Sequence, residues 1–198
     1  MKKRKIWVVR ALAGCVLAHG CMILAAVPEP TVKTTQGEAA GKWIEGGTER
    51  AFLGLPYAAP PVGELRWKAP QTPSGWKGVR DATKFAARCE QWHIWNDYLF
   101  LDSGPSEDCL YLNIWTAAKS PKANLPVMVW IHGGGFTRGY ASSRAYDGET
   151  LARKGVVVVS INYRLGIFGF FAHPELTAES KHHASGCRAL DKGSIERR

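Results

Sequence analysis

The body of this sequence has little net charge to offer a partner. The 198 residues carry +9 in all, but Lys2, Lys3, Arg4, Lys5 and Arg10 supply +5 of it and residues 181–198 a further +3. Residues 27–180 are left with +1. A nucleic-acid binder gathers its basic residues on the folded part, so this distribution argues against that function. Long apolar runs are also missing. The stretch from Ala11 to Ala26 is shorter than the roughly 20 residues a spanning helix needs, and it contains His19. Internal repeats and low-complexity tracts are absent. With 45% hydrophobic and 22% charged residues the composition is that of a globular chain. Cysteine is scarce: apart from Cys15, Cys21 and Cys187 near the ends, only Cys89 and Cys109 remain.

The first segment has the order of an export signal. A basic start precedes the apolar stretch, and small residues give way to Val27-Pro28-Glu29-Pro30 just after Ala26. Residues 1–26 are therefore predicted to be a cleaved signal peptide, and the product secreted or periplasmic. An uncleaved anchor is the alternative. So is a lipoprotein at Cys15, since Leu12-Ala13-Gly14-Cys15 is similar to a lipidation box; Arg10 interrupts the apolar stretch before it. In an exported chain Cys89 and Cys109 read as one disulfide, with two buried free thiols as the other reading.

Along the body, residues 27–50 are polar and glycine-rich, which suggests a short hairpin at a sheet edge. Residues 51–63 cannot be helical, because Pro56, Pro60 and Pro61 remove donors and force extended or turn geometry. Residues 64–88 read as loop, with a short amphipathic piece near Asp81–Arg88. Residues 109–116 alternate like a strand. Pro126–Ile131 and Val156–Ile161 are continuous apolar runs, predicted as strands covered on both faces. Residues 145–154 read as a helix ending at Gly155. Strand, glycine loop, helix and strand is the rhythm of an α/β sheet.

The stretch Val129-Trp130-Ile131-His132-Gly133-Gly134-Gly135-Phe136 carries the most chemistry. Three glycines straight after a strand are entropically costly, and are tolerated where bare N–H groups must approach a ligand. Such a loop in an α/β-hydrolase supplies donors to the oxyanion formed during ester hydrolysis. A flexible turn is the bland alternative. A phosphate-binding loop is a rival, but no Gly-Lys-Ser/Thr follows.

Four motifs in order then carry a family resemblance. Gly54-Leu-Pro-Tyr-Ala-Ala-Pro-Pro-Val-Gly63 followed by Leu65-Arg66 is the first. Ser106-Glu-Asp-Cys-Leu-Tyr-Leu-Asn-Ile-Trp115, Pro126 to Phe136, and Ser160-Ile-Asn-Tyr-Arg-Leu-Gly-Ile-Phe-Gly-Phe170 complete the set. Together they resemble the type B carboxylesterases, a family that includes para-nitrobenzyl-type esterases and cholinesterases. The resemblance spans about residues 30–186 by motif spacing. It implies the N-terminal portion of an α/β-hydrolase fold with a mixed, mostly parallel central sheet, and a carboxylic ester hydrolase working through an acyl-enzyme on a serine. It implies Gly134 and Gly135 as oxyanion donors, a Cys89–Cys109 disulfide and a structural Arg66–Glu107 salt bridge. Arg164 would pair with an aspartate in a later Leu-Leu-Asp stretch. The implied partner is a small-molecule ester, with no cofactor, metal or nucleic acid, and with membrane contact only through lipidation or an uncleaved signal.

Trp92, Trp95, Tyr98 and Phe100 fall between the two cysteines and could line an apolar pocket or simply pack beneath a loop. His132 and His173 are tempting bases. His132 precedes the glycines, however, and the family's catalytic histidine comes much later, so both are expected to be structural. His182 and His183 lack a third nearby ligand and read as solvent-exposed.

The departure from the family pattern comes after Gly186. No Gly-x-Ser-x-Gly occurs in the 198 residues, so the nucleophile elbow is missing along with the acid and base that follow it. Residues 27–186 read as the hydrolase portion and 187–198 as an aberrant tail. On this reading the chain as given is inactive, and its buried strands, short of neighbours, would expose apolar surface. The alternatives are a serine-less binding or adhesion protein of the same fold, or an inert fragment.

Overall fold

The computed structural model describes residues 28–180 apart from 45, 47, 93–99 and 121. The expected signal peptide, Cys15, Trp95, Tyr98, the His182-His183 pair and the tail at 187–198 lie outside the described residues.

The opening strands are short: β1 (Thr31–Lys33), β2 (Glu38–Ala40) and β3 (Lys42–Trp43), followed by the longer β4 (Arg50–Pro56). β1 and β2 form the expected antiparallel hairpin, and β3 pairs antiparallel with β4. Next come β5 (Val79–Asp81), β6 (Arg88–Cys89), β7 (Pro105–Ser106) and β8 (Tyr111–Thr116). Then follow β9 (Val127–Ile131), α1 (Glu149–Arg153), β10 (Val157–Ile161), α2 (Gly166–Phe170) and α3 (Pro174–Glu179). Five strands make the main sheet in the order β3-β4-β8-β10-β9. The sheet is mixed, as expected. Within the described residues its parallel part is the β10–β9 pairing alone, and the other pairings are antiparallel.

The centre of this sheet is covered on both faces. Ala51 and Leu53 of β4 pack with Ile44, Trp115, Ala152 and Val158 on one side. Phe52 and Leu55 pack with Ala39 and Ala82 on the other. Phe52 and Leu55 share a face because the register shifts between them, at Gly54, whose φ is +67°. A Cβ there would lie 2.8 Å from the Lys84 carbonyl oxygen, so both the bulge and the close approach require glycine. Asn113 of the Leu-Tyr-Leu-Asn-Ile-Trp motif serves this bulge. Its buried Oδ1 accepts the Gly54 N–H at 2.9 Å, and its Nδ2 donates to Ser160 Oγ at 3.1 Å.

Two expectations need correction. β9 is not covered on both faces: all five residues are exposed, Val127 at 64% and Trp130 at 43%. Among the described residues it sits at the sheet edge with one strand neighbour, and α1 packs against β8 and β10 instead. The exposure of apolar surface expected of a strand short of neighbours is thus found here. β10, the second such run, is only alternately buried. The stretch near Asp81–Arg88 is largely loop, as read from the sequence. β5 and β6 occupy its ends, and Asp81 Oδ1 accepts the N–H and hydroxyl of Thr83 in a local turn. The helix expected over 145–154 is split into a 3-10 turn at Arg144–Tyr146 and α1. Asp147 Oδ1 takes the Glu149 N–H at 2.8 Å and so starts the α-helix only there. Its end at Gly155, with φ +81°, is where the sequence placed it.

Candidate functional site

The glycine loop leaves β9 at the end of its parallel pairing with β10, where Ile161 faces Ile131. His132 turns inward and is buried, while Gly133, Gly134, Gly135 and Phe136 are exposed. Gly134 has φ +124° and Gly135 +61°, both conformations that L side chains rarely adopt. The turn closes on the Gly134 carbonyl, which accepts the N–H groups of Thr137 and Arg138 at 3.3 Å and the Thr137 hydroxyl at 3.2 Å. Among the described residues neither the Gly134 nor the Gly135 N–H is used by the turn. Two adjacent donors thus stand unused on an exposed turn just after β9. Phe136 packs on Phe170 of α2, ring centroids 4.8 Å apart, and its carbonyl accepts the Gly166 N–H at 2.8 Å.

The loop is held from beneath by the imidazole of His132. Its Nδ1 lies 2.9 Å from the Gly133 carbonyl oxygen, a contact that requires the proton on Nδ1. The ring stacks on Tyr163 at 4.3 Å, and the Tyr163 hydroxyl donates to the His132 carbonyl at 2.8 Å. Burial holds the imidazole below the ordinary histidine range, opposed in part by the Gly133 hydrogen bond. Because the folded-state value is depressed, the unfolded chain takes up the proton first. Its contribution to stability is present above about pH 6.5 and is lost as pH falls through the folded-state value. We expect His132→Phe to flatten the stability-versus-pH slope on the acid side of about pH 6.5, read from denaturant midpoints. An unchanged slope would show that His132 does not titrate in this way.

The two cysteines are joined, with sulfurs 2.05 Å apart and a sequence separation of 20. Both are buried, in a cluster with Ala58, Leu110, Tyr163 and Leu165. Arg66 and Glu107 form a bidentate pair, Nε to Oε2 and Nη2 to Oε1 each at 2.6 Å. The pair is half exposed and ties residue 66 to the foot of the disulfide loop. Arg164 is buried and donates from Nη2 to the Lys68 carbonyl at 3.0 Å. Phe100 packs rather than lining an open pocket: it lies beneath the Arg88 guanidinium at 3.7 Å and against Tyr140 at 4.8 Å. Trp92, by contrast, is 90% exposed. His173 is far from the glycines in role, since its Nδ1 accepts the Glu175 N–H at 3.4 Å and caps α3.

Several residues that the motifs did not single out prove to brace the site. Gln91 pairs with the backbone of Gly139, and Asp102 accepts hydrogen bonds from Ser142 and Arg88. Asn162 accepts the Ala141 N–H at 2.9 Å and donates to the Ala87 carbonyl at 3.1 Å. Asn162 lies inside a recognised motif and could have been weighed. Gln91 and Asp102 carry no local signal.

The model of the carboxylesterase family matches residues 28–181. The chain belongs to the carboxylesterase family. This chain is 48% identical over 167 residues to the fumonisin B1 esterase of Sphingopyxis macrogoltabida, covering 83% of itself and 30% of that relative. It is 45% identical over 156 residues to the cholinesterase of Mus musculus, covering 73% of itself and 25% of the relative. Among solved structures, the Geobacillus stearothermophilus carboxylesterase at pH 6.2 is similar at a TM-score of 0.69 and 41% identity, over 80% of this chain and 31% of that one. A PNB esterase structure is similar at 0.70 and 40%, over 82% and 32%. The fold is therefore that of α/β-hydrolase carboxylesterases, and the chain spans about 30% of the length of these relatives.

Proposed function

We propose that residues 132–136 form the oxyanion-binding part of a serine carboxylic ester hydrolase acting on a small-molecule ester. The supporting observation is the pair of exposed, left-handed glycines whose N–H groups the turn leaves unused. Donors held in that way need no reorganisation when an ester carbonyl becomes tetrahedral, and losing one in comparable sites costs about 2.7–4 kcal/mol of transition-state stabilisation. The attacking serine, the acid and the histidine are not supplied by these residues, which contain no Gly-x-Ser-x-Gly. In this reading the 198 residues bind and polarise but do not cleave. Export fits the same picture, since a buried disulfide persists in an oxidising compartment.

The test is a graft. The 198-residue chain by itself is expected to turn over p-nitrophenyl acetate no faster than buffer. Residues 28–181, replacing the matched segment of the fumonisin B1 esterase, are expected to give an active enzyme. Gly135→Ala in that graft is expected to lower kcat about 100-fold, because the strain of a side chain at φ +61° moves the N–H off the oxyanion and so costs the donor. A folded graft with unaltered kcat in the Gly135→Ala variant would sink the reading.

A further inference from the structure

We propose that Gln91 is a positioning residue that fixes the geometry of the Gly134–Gly135 donors from within the disulfide loop. The inference rests on the oxyanion reading of those glycines.

The side-chain amide of Gln91 meets the backbone of Gly139 on both of its hydrogen-bonding groups. Nε2 donates to the Gly139 carbonyl and Oε1 accepts the Gly139 N–H, each at 2.9 Å. Nε2 also donates to the Cys89 carbonyl at 3.0 Å, so the amide is anchored to the backbone of a disulfide cysteine. A paired contact of this kind fixes orientation as well as distance, because rotating the amide breaks both bonds together. What it grips is the base of the glycine loop. Gly139 has φ +124°, and its Cα lies so close to the loop that a Cβ would fall 2.2 Å from His132 Nδ1 and 2.3 Å from the Gly133 carbonyl oxygen. That carbonyl is the one His132 holds. Gly139 therefore presses on the peptide joining Gly133 to Gly134, whose N–H is the first proposed donor. Three residues on, the same segment is held again, where Ser142 donates to the buried carboxylate of Asp102, itself paired with Arg88. Both grips reach from the loop closed by Cys89 and Cys109 to the strand-end segment that carries the donors. A sequence separation of 48 makes the Gln91–Gly139 contact a tertiary one that the turn's own hydrogen bonds do not provide.

The geometry points to a division of labour. The glycines supply the donors, and Gln91 sets where they stand. Its loss should loosen residues 133–139 while leaving the sheet intact, because the contacts of β10 with β8 and β9 do not involve it.

The test is amide hydrogen exchange by NMR on the 198-residue chain. Gln91→Met keeps length and bulk but cannot hydrogen-bond. It is expected to speed exchange of the Gly139 amide about tenfold and to shift the Gly134 and Gly135 amide signals. Exchange at Val158 and Ser160 of β10 should stay as in the wild type. Gln91→Glu supplies a readout that packing alone would not move. Ionised, it turns an acceptor on both the Gly139 and Cys89 carbonyls that Nε2 serves, and that repulsion pushes the side chain off the Gly139 N–H as well; protonated, below about pH 4.3, it can donate again. Protection at Gly139 relative to the wild type should therefore recover as pH falls through that range. Glu90, Asp102, His132 and Arg138 lie nearby and are common to both proteins, so the comparison at each pH isolates position 91. Unchanged Gly139 exchange in Gln91→Met, or acceleration spread equally through β10, would overturn the assignment. Should Gln91→Met fail to fold, the Gln91→Glu recovery decides alone, and its absence overturns the assignment too. The exchange result stands even if the graft shows that Gly134 and Gly135 bind no oxyanion.

Discussion

Gly139→Ala is expected to destabilise the folded chain by about 3–5 kcal/mol, adding backbone strain to overpacking against atoms that cannot yield. The new methyl would sit 2.2 Å from His132 Nδ1 and 2.3 Å from the Gly133 carbonyl oxygen. Neither neighbour is the free end of a flexible side chain. The ring is pinned between Tyr163 and the Gly133 hydrogen bond, and the oxygen belongs to the backbone. The φ of +124° excludes relief by a small backbone adjustment. Gly135→Ala is the matched control. Its φ is +61° and nothing lies within 4 Å of the added carbon, so only the left-handed backbone cost of about 1–2 kcal/mol applies. Urea midpoints of the two variants should therefore separate widely. Equal midpoints would mean that the loop can re-form around a methyl at 139, and the tight packing beneath the glycines would have to be abandoned as an explanation.

The second large effect is expected at the disulfide. Replacing Cys89 and Cys109 together by serine should cost about 3 kcal/mol in the loop-entropy account for a closure of this size. Whole domains are stable by about 5–15 kcal/mol, so this is a large share. The two hydroxyls would also be left within a buried apolar cluster of Ala58, Leu110, Tyr163 and Leu165. The loss should reach the glycine loop, because Gln91 and Asp102 both belong to the segment the disulfide closes. Thermal or urea unfolding of the double variant against the oxidised chain measures the first effect, and Gly139 exchange measures the second. A double variant as stable as the wild type would show that Arg88, Asp102 and Ser142 order the loop without covalent help.

The glycine turn is legible in the sequence alone. Gly133-Gly134-Gly135 after an apolar strand has few uses, and its backbone proves to be left-handed at two of the three positions. The strand run at 126–131 was legible as a strand and misread as covered. An apolar run records which faces the sequence was shaped to bury, whereas exposure depends on which neighbours stand beside it, and among the described residues β9 has only β10. The helix at 145–154 failed for a local reason. Apolar periodicity counts positions without weighing the Asp147 side chain, which competes for the Glu149 N–H and splits the segment.

The sequence by itself determined the elements whose cause is local: extended backbone through the prolines at 56, 60 and 61, a helix stop at Gly155, a bare glycine turn after β9, and a family order of motifs. Tertiary structure alone decided which distant groups complete them. Gly54 becomes a bulge because Asn113, 59 positions away, takes its N–H. His132 becomes a neutral prop because folding buries it against Tyr163. Gln91, an unremarkable polar residue in the chain, becomes the clamp on Gly139. A hydrogen bond draws its energy from the geometry of two partners and from the water removed around them, and a linear pattern contains neither.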